Sequence, residues 1–399
     1  MQKQSYKYII VGAGIAGLSA VEGIREHDKS GPILLIGDEK YPPYNRTPLT
    51  KELWWGTIKA EELFIHDNKY FEQNDVDLLF GKTVVSLDAK AKTVTDDTNV
   101  TVRYEKLLLA TGGRPRTLPI PGGNLEGICY YRYLDDYYGL SGSVSNRTSV
   151  LIIGGGFIGS ELGASLSENS TNVTMLYPEN YVCSMVLPEY LGKNLEEMYL
   201  KHGVTLISKD KPVAFEKSGN KFITTTQKGR EIQTDAVVAG IGIAASSALA
   251  ESAGIRTGRN IIVNEYQQTS QPDIYAAGDN TEFPYLALGR TMHVDHWDHA
   301  LNHGKWAGRN MAGARTPYDY IPKFFSTIYD LNYEAVGEVI PELKNIARWK
   351  EQSNKGVIYF IRGDRIVGVL TCNLHSEIDR ARELVRQGNI PPELVSAVR

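Results

Sequence analysis

Tyr8-Ile9-Ile10-Val11-Gly12-Ala13-Gly14-Ile15-Ala16-Gly17-Leu18 decides how this chain folds. A short apolar run breaks into Gly-x-Gly-x-x-Gly, and apolar residues then return at Leu18, Val21 and Ile24 with helical spacing. The pattern predicts a strand, a tight turn and a helix in succession. Gly12 permits the turn, Gly14 lets backbone approach a pyrophosphate, and Gly17 lets the helix pack closely on the strand. The helix N-terminus offers unpaired N–H groups to the phosphates. A second apolar run, Ile33-Leu34-Leu35-Ile36, follows the turn-like Asp28-Lys29-Ser30-Gly31-Pro32, with Asp38 and Glu39 next. An acid about 20 residues beyond such a loop is where an adenosine ribose is met. The stretch reads as a dinucleotide cradle.

The pattern recurs at Ser149-Val150-Leu151-Ile152-Ile153-Gly154-Gly155-Gly156-Phe157-Ile158-Gly159-Ser160-Glu161-Leu162. The next apolar run, Val173-Thr174-Met175-Leu176-Tyr177, ends at Glu179. Two loops, each followed by a strand and an acid, imply two dinucleotides and amount to an internal repeat. Glu179 also bears on which nicotinamide is used. A carboxylate there accepts hydrogen bonds from ribose hydroxyls and repels a 2′-phosphate. The sequence between Tyr177 and Tyr190 has no Lys or Arg to neutralise one, so NADH is expected over NADPH.

Composition limits the alternatives. The 399 residues suffice for two or three domains. Hydrophobic residues at 42% and charged residues at 23% are ordinary for a soluble globular protein. A formal net charge of -4 argues against a nucleic-acid partner. Cys129, Cys183 and Cys372 are widely separated with no Cys-x-x-Cys, which suits a reducing compartment and neither a disulfide framework nor a metal site. The first strand starts about seven residues in, leaving no room for a signal or transit peptide. No apolar run approaches the roughly 18 residues of a membrane span. The expected location is the cytoplasm, with no membrane partner.

Along the chain, Tyr41 to Trp55 holds Pro42, Pro43 and Pro48, so a structured loop is expected, with a helix starting at Thr47-Pro48. Val76 to Thr95 alternates like short strands. Tyr104 to Leu109 is a buried strand running into Ala110-Thr111-Gly112-Gly113. Pro115, Pro119 and Pro121 mark a boundary near residue 118. Thr234 to Gly242 reads as one strand closing the second cradle's domain, and Asp273 to Asp279 as a short strand ending on Gly278-Asp279. Asp298 to Met311 reads as a helix. Beyond Pro317 come strand-like runs at Gly356–Phe360 and Ile366–Leu370, then a helix from Glu377 to Arg386.

Taken together, these motifs resemble the two-dinucleotide flavoprotein reductases of the glutathione-reductase fold. Within that group the chain is most similar to apoptosis-inducing-factor-like NADH oxidoreductases and to ferredoxin and rubredoxin reductases. The resemblance runs from about residue 6 to about 388. It is carried by Pro43-Tyr44-x-Arg46-x-Pro48-Leu49-x-Lys51-Glu52-Leu53, Ala110-Thr111-Gly112-Gly113, the Gly154 loop, Leu187-Pro188-Glu189-Tyr190-Leu191, Ala277-Gly278-Asp279 and Asp295-His296-x-Asp298-His299-Ala300. It implies an α/β fold with two Rossmann-like dinucleotide-binding domains and a C-terminal α+β domain. Residues 1–118 and 243–316 would form a discontinuous FAD-binding domain, 119–242 the NAD-binding domain, and 317–399 the C-terminal domain.

The resemblance also implies site residues. FAD would be held by Gly12, Gly14, Ile15, Ala16, Gly17, Asp38, Glu39, Arg46, Lys51, Val84, Ala110, Thr111, Gly112, Arg132, Gly278 and Asp279. Gly155, Gly156, Phe157, Ile158, Glu179 and Gly242 would hold NAD. Asp295, His296, Trp297 and Phe325 would lie near the nicotinamide and flavin rings. Lys51, Glu161 and His296 are the expected catalytic residues: a lysine beside the flavin stabilises arriving negative charge, and a carboxylate must accompany a buried lysine. The sequence also departs from the family. It lacks the long C-terminal insertion and N-terminal mitochondrial segment of the apoptosis-associated members, which argues against a cell-death role. It has Asp295-His296 where the family has Glu-His, and it lacks the Asp that often follows Phe324-Phe325-Ser326. Disulfide-reducing relatives need a redox cysteine, and neither the first helix nor residues 41–55 contain one.

The expected function is electron transfer from NADH through FAD to a ferredoxin- or rubredoxin-like iron–sulfur protein, by a monomer or homodimer. Two alternatives stand beside it. One is a diaphorase-like oxidoreductase acting on quinone, oxygen or a small radical. The other is an NADH sensor whose oligomeric state follows a charge-transfer complex.

Overall fold

The computed structural model describes residues 3–144, 148–169, 171–374 and 377–391. The chain forms two compact units, each assembled from separate stretches of sequence. One comprises the residues up to Asn45, Ala60–Arg114 and Ala244–Phe324; the other comprises Arg46–Lys59, Pro115–Ile243 and the residues from Phe325 onward.

The first unit is built on the opening apolar run. Ser5–Val11 forms a strand, Ile15–His27 a helix and Ile33–Gly37 the next strand. Ile9, Ile10, Ile33 and Leu35 are fully excluded from solvent, as expected for a parallel sheet covered on both faces. Parallel neighbours run Val76–Phe80, Ile33–Gly37, Ser5–Val11, Thr101–Leu109. The last of these strands is shared. Its N-terminal half pairs antiparallel with Thr93–Asp96, and its C-terminal end pairs in parallel with Ile274–Ala276. Two distant parts of the sequence thus meet on one strand.

Helix Ile15–His27 crosses helix Trp297–Met311 at very close range. Glycines make this possible: a Cβ on Gly304 would sit 2.1 Å from the Ala16 carbonyl oxygen, and one on Gly308 would sit 2.1 Å from that of Ala20. Backbone packs on backbone here, and ion pairs from Glu26 to Lys305 (3.0 Å) and Arg309 (2.5 Å) flank the crossing.

The second unit repeats the scheme. Its parallel sheet runs Thr205–Ser208, Asn172–Tyr177, Ser149–Ile153, Ala236–Ala239, Ile128–Tyr130, with helix Phe157–Glu168 after the central strand. A three-stranded antiparallel sheet, Pro212–Ser218, Lys221–Thr226 and Glu231–Thr234, packs with it around Phe215, Phe222, Leu151 and Val237. The single strand expected over Thr234 to Gly242 is in fact two, because Thr234 ends one sheet and Ala236 begins the other. Asp235 makes the break: its carboxylate accepts the Ser149 backbone N–H (2.9 Å) and hydroxyl (2.5 Å) and pairs with Lys221 (2.8 Å).

The C-terminal part of this unit is a five-stranded antiparallel sheet in the order Lys323–Ile328, Leu331–Gly337, Arg365–Cys372, Lys355–Arg362, Lys344–Glu351. Helix Ile378–Gln387 buries Ala381 and Val385. Among the described residues no helix is long and apolar enough to cross a membrane.

Candidate functional site

Both glycine turns divide labour among their glycines in the same way. Gly12 adopts φ +115, and a Cβ there would lie 2.0 Å from the Ala110 carbonyl oxygen; Gly17 would collide with the Gly12 carbonyl oxygen at 2.0 Å. Gly154 (φ +106) and Gly159 stand in the same relation to the carbonyl oxygens of Gly240, at 2.4 Å, and Gly154, at 2.0 Å. The middle glycines differ. Gly14 and Gly156 would meet nothing within 4 Å, and each is the N-cap of its helix without any side-chain capping bond. An open face over helix amides without a side-chain cap is a geometry that can receive a phosphate, and it occurs at both turns.

In the first unit the sheet's carboxyl ends gather several of the other expected residues, while Arg46, Lys51 and Arg132 belong to the second unit. The Ala110 N–H bonds to the Val11 carbonyl at 2.8 Å, so Ala110–Gly112 lies beside the Gly12 turn. A Cβ on Gly278 would touch the methyl groups of Ala16 and Ala300. Asn280, absent from the sequence reading, ties these segments: its amide donates to the Leu109 carbonyl and the Thr111 hydroxyl, both at 2.9 Å. Its Oδ1 is buried with no protein donor. Asp38 lies 3.7 Å from Arg114, and Glu39 takes the Tyr44 hydroxyl at 2.6 Å. Val84 opens the strand after the turn in which Lys82 N–H bonds to the Gly37 carbonyl at 3.0 Å.

His296 is the N-cap of helix Trp297–Met311, and its ring stacks on Phe324 at 4.9 Å. Burial lowers its pKa against the opposing pull of Asp295 and Asp279, so the imidazole is neutral at pH 7. Asp295 itself is exposed, and the Trp297 indole N–H is buried without a partner. Further along this helix His303 is wholly buried. Its Nδ1 accepts the Gly278 N–H at 3.2 Å, and desolvation lowers its pKa to about 3.

In the second unit, the Gly155 carbonyl accepts the Cys183 N–H at 2.7 Å, and the Gly242 carbonyl accepts that of Arg116 at 3.0 Å. Phe157 and Ile158 open the helix that follows Gly156. Glu179 sits at the end of the second strand, and its Oε2 is buried with no partner in the protein. A buried acceptor left open in this way suits a ligand hydroxyl. Spacing alone concealed one nearby cation: the Lys193 ammonium reaches the Asn180 carbonyl at 3.1 Å and is paired with Glu196 at 2.7 Å.

The same unit contains a buried charge cluster. Lys51 separates the 3-10 turn Thr47–Thr50 from the short helix Glu52–Trp55, where the sequence suggested one helix. Its ammonium is 3.0 Å from Glu161 Oε1, and the two residues are only 4% and 7% exposed. Glu161 also accepts the Thr50 hydroxyl at 2.5 Å and the Ser326 hydroxyl at 2.6 Å. The Phe325 ring centroid is 5.9 Å from the Lys51 ammonium. Arg46 donates to the Arg132 carbonyl at 3.5 Å and lies over the Tyr133 ring. The three cysteines are free, and burial pushes the thiols of Cys129 and Cys372 up to about 12 and Cys183 to about 11. As thiols they are poor nucleophiles at neutral pH.

A family model described as pyridine nucleotide-disulphide oxidoreductase matches residues 6–304. The chain is 32% identical to apoptosis-inducing factor 1, mitochondrial, of Dictyostelium discoideum, over 96% of this chain and 78% of that protein. It is 30% identical to rhodocoxin reductase of Rhodococcus erythropolis, over 94% of this chain and 88% of that protein. It is also similar to a solved structure, the covalent putidaredoxin reductase–putidaredoxin complex. There the TM-score is 0.91 and the identity 27%, covering 99% of this chain and 96% of the other.

Proposed function

The chain belongs to the pyridine nucleotide-disulphide oxidoreductase family, and on that footing we propose that it is an FAD-dependent NADH oxidoreductase delivering electrons to a ferredoxin- or rubredoxin-like iron–sulfur protein. The observation that carries this reading is the duplicated cradle, with its middle glycine open and its outer glycines packed against backbone. Rhodocoxin reductase and the putidaredoxin complex support the acceptor class.

In this reading residues 1–118 and 243–316 take FAD. Gly12, Gly14, Ile15, Ala16 and Gly17 receive its pyrophosphate, Asp38 its ribose and Asp279 its ribityl chain, while Glu39, Val84, Ala110, Thr111, Gly112, Gly278, Arg46 and Arg132 complete the FAD site. Residues 119–242 take NADH through Gly155, Gly156, Phe157, Ile158, Glu179 and Gly242, and 317–399 form the third domain. The unpartnered oxygen of Glu179 accepts a ribose hydroxyl, which favours NADH over NADPH. When bound, FAD supplies a ring that takes hydride and hands on single electrons. The protein contributes positioning and charge. Lys51 stabilises the negative charge that arrives, and Glu161 offsets the cost of burying Lys51. Asp295, His296, Trp297 and Phe325 form the ring environment, His296 acting as a neutral, stacking imidazole. A cytoplasmic location and a monomeric or dimeric state complete the reading; the free cysteines accord with a reducing compartment.

The test is stopped-flow reduction of the purified yellow protein by NADH, followed by mixing with ferredoxin- and rubredoxin-type proteins. Rapid bleaching by NADH and transfer to an iron–sulfur protein faster than to a free dye is the expected result. Transfer no faster than to the dye would remove the acceptor assignment.

A further inference from the structure

We propose that Thr50 and Ser326 are positioning residues for the Lys51–Glu161 pair, two buried hydroxyls that hold the carboxylate and, through it, the ammonium in one orientation. The inference rests on the role of that pair given above and assigns it two further parts. Glu161 Oε2 accepts from Thr50 Oγ1 at 2.5 Å, while Oε1 accepts from Ser326 Oγ at 2.6 Å and from Lys51 Nζ at 3.0 Å. A carboxylate bonded only to lysine swings about its terminal torsion, and the ammonium swings with it. Donors on both oxygens fix its plane.

Thr50 has an alternative partner, the Thr47 carbonyl, as hydroxyls near a helical turn commonly do. That contact is 3.4 Å against 2.5 Å to Glu161, so the carboxylate is the hydroxyl's principal partner. The donors are themselves fixed. The Ser165 hydroxyl donates to the Thr50 carbonyl at 2.8 Å, and the Tyr131 hydroxyl donates to the Leu49 carbonyl at 2.5 Å. Ser326 sits within strand Lys323–Ile328 and is 1% exposed. All of these contacts lie within one compact unit. The Lys51 ammonium has three N–H donors and gives one to Glu161. Fixing that bond fixes the cone on which the other two lie.

The experiment compares the FAD-loaded parent with Ser326→Ala, Thr50→Val and Thr50→Ser, each with and without Lys51→Ala. Ser326→Ala and Thr50→Val are expected to lower the limiting rate of reduction by NADH about three- to thirty-fold, with half-saturating NADH within about two-fold of the parent. Thr50→Ser, which keeps the hydroxyl, is expected to stay within about two-fold. In the Lys51→Ala background, Ser326→Ala is expected to change the rate less than about two-fold, because its route of action is gone. A second readout needs no flavin: amine acetylation of Lys51 in the flavin-free chain, normalised to an exposed lysine, is expected to rise about three-fold or more in both variants. An equal cost of Ser326→Ala in both backgrounds, or unchanged labelling of Lys51, would overturn the inference. If Lys51→Ala alone is reduced as fast as the parent, the role of the pair fails instead, and the labelling still decides whether the hydroxyls hold it. Should Thr50→Val not fold, Ser326→Ala carries the comparison.

Discussion

At the scale of single residues, buried polar atoms are the most informative. Glu161 carries three donors, so Glu161→Gln leaves Lys51 with no carboxylate in a nearly dry place and turns an amide NH2 toward at least one of the groups that now donate to it. Breaking a buried pair in this way is expected to cost about 3 kcal/mol, read from urea unfolding of the flavin-free chain, with Glu161→Asp intermediate. His303 gives a pH dependence. Its folded pKa of about 3 lies below the unfolded value near 6.5, so between the two only the unfolded chain binds the proton. That contribution to stability is complete above about pH 6.5 and is lost as pH falls toward 3. Between pH 7.5 and pH 5 the parent is expected to lose about 2 kcal/mol through this group. His303→Gln should lose correspondingly less over the same interval in parallel urea titrations.

At the scale of elements, the two glycine turns make a sharp contrast. Gly14→Ala places its methyl in open space, whereas Gly17→Ala drives one into the Gly12 carbonyl oxygen at 2.0 Å. The first substitution is expected to cost less than about 1 kcal/mol in the flavin-free chain yet weaken FAD about ten-fold by isothermal titration. The second is expected to cost about 3 kcal/mol or more in folding itself. Equal effects on folding would contradict this division of labour. These elements were legible in the sequence because their rules are short-range: apolar periodicity, turn glycines and an acid at the next strand's end all fall within one βαβ unit. The break at Asp235 was hidden, since it depends on Ser149 and Lys221 reaching that carboxylate. Strands Lys323–Ile328, Leu331–Gly337 and Lys344–Glu351 are not individually marked in the sequence either, although Leu331 to Ala335 alternates between buried and half-buried positions. Thr50 and Ser326 are neighbours of Lys51 and Phe325, both singled out from sequence. Only the fold shows that their hydroxyls converge on Glu161, because a lone Ser or Thr carries no signal of its partner.

At the scale of the whole molecule, contact between distant stretches governs what can fold alone. The sheet Thr205–Ser208 to Ile128–Tyr130, and the core around Leu151, Phe215 and Val237, come entirely from residues 115–243. Strand Thr101–Leu109, by contrast, pairs with Ile274–Ala276, and helix Ile15–His27 rests on Trp297–Met311. A 115–243 fragment is therefore expected to melt cooperatively by circular dichroism and to bind NADH in saturation-transfer NMR, whereas a 1–114 fragment should show neither a cooperative melt nor FAD binding. A non-cooperative 115–243 fragment would mean that its core depends on the rest of the chain. The chain passes from one compact unit to the other after residues 45, 59, 114, 243 and 324. This interleaving has a genetic consequence. A premature stop codon anywhere before residue 324 leaves both units incomplete, so no early nonsense allele can spare one unit while losing the other. A gene fragment that encodes one whole unit and nothing of the other must be made by excision, or by joining pieces that are not neighbours in the reading frame.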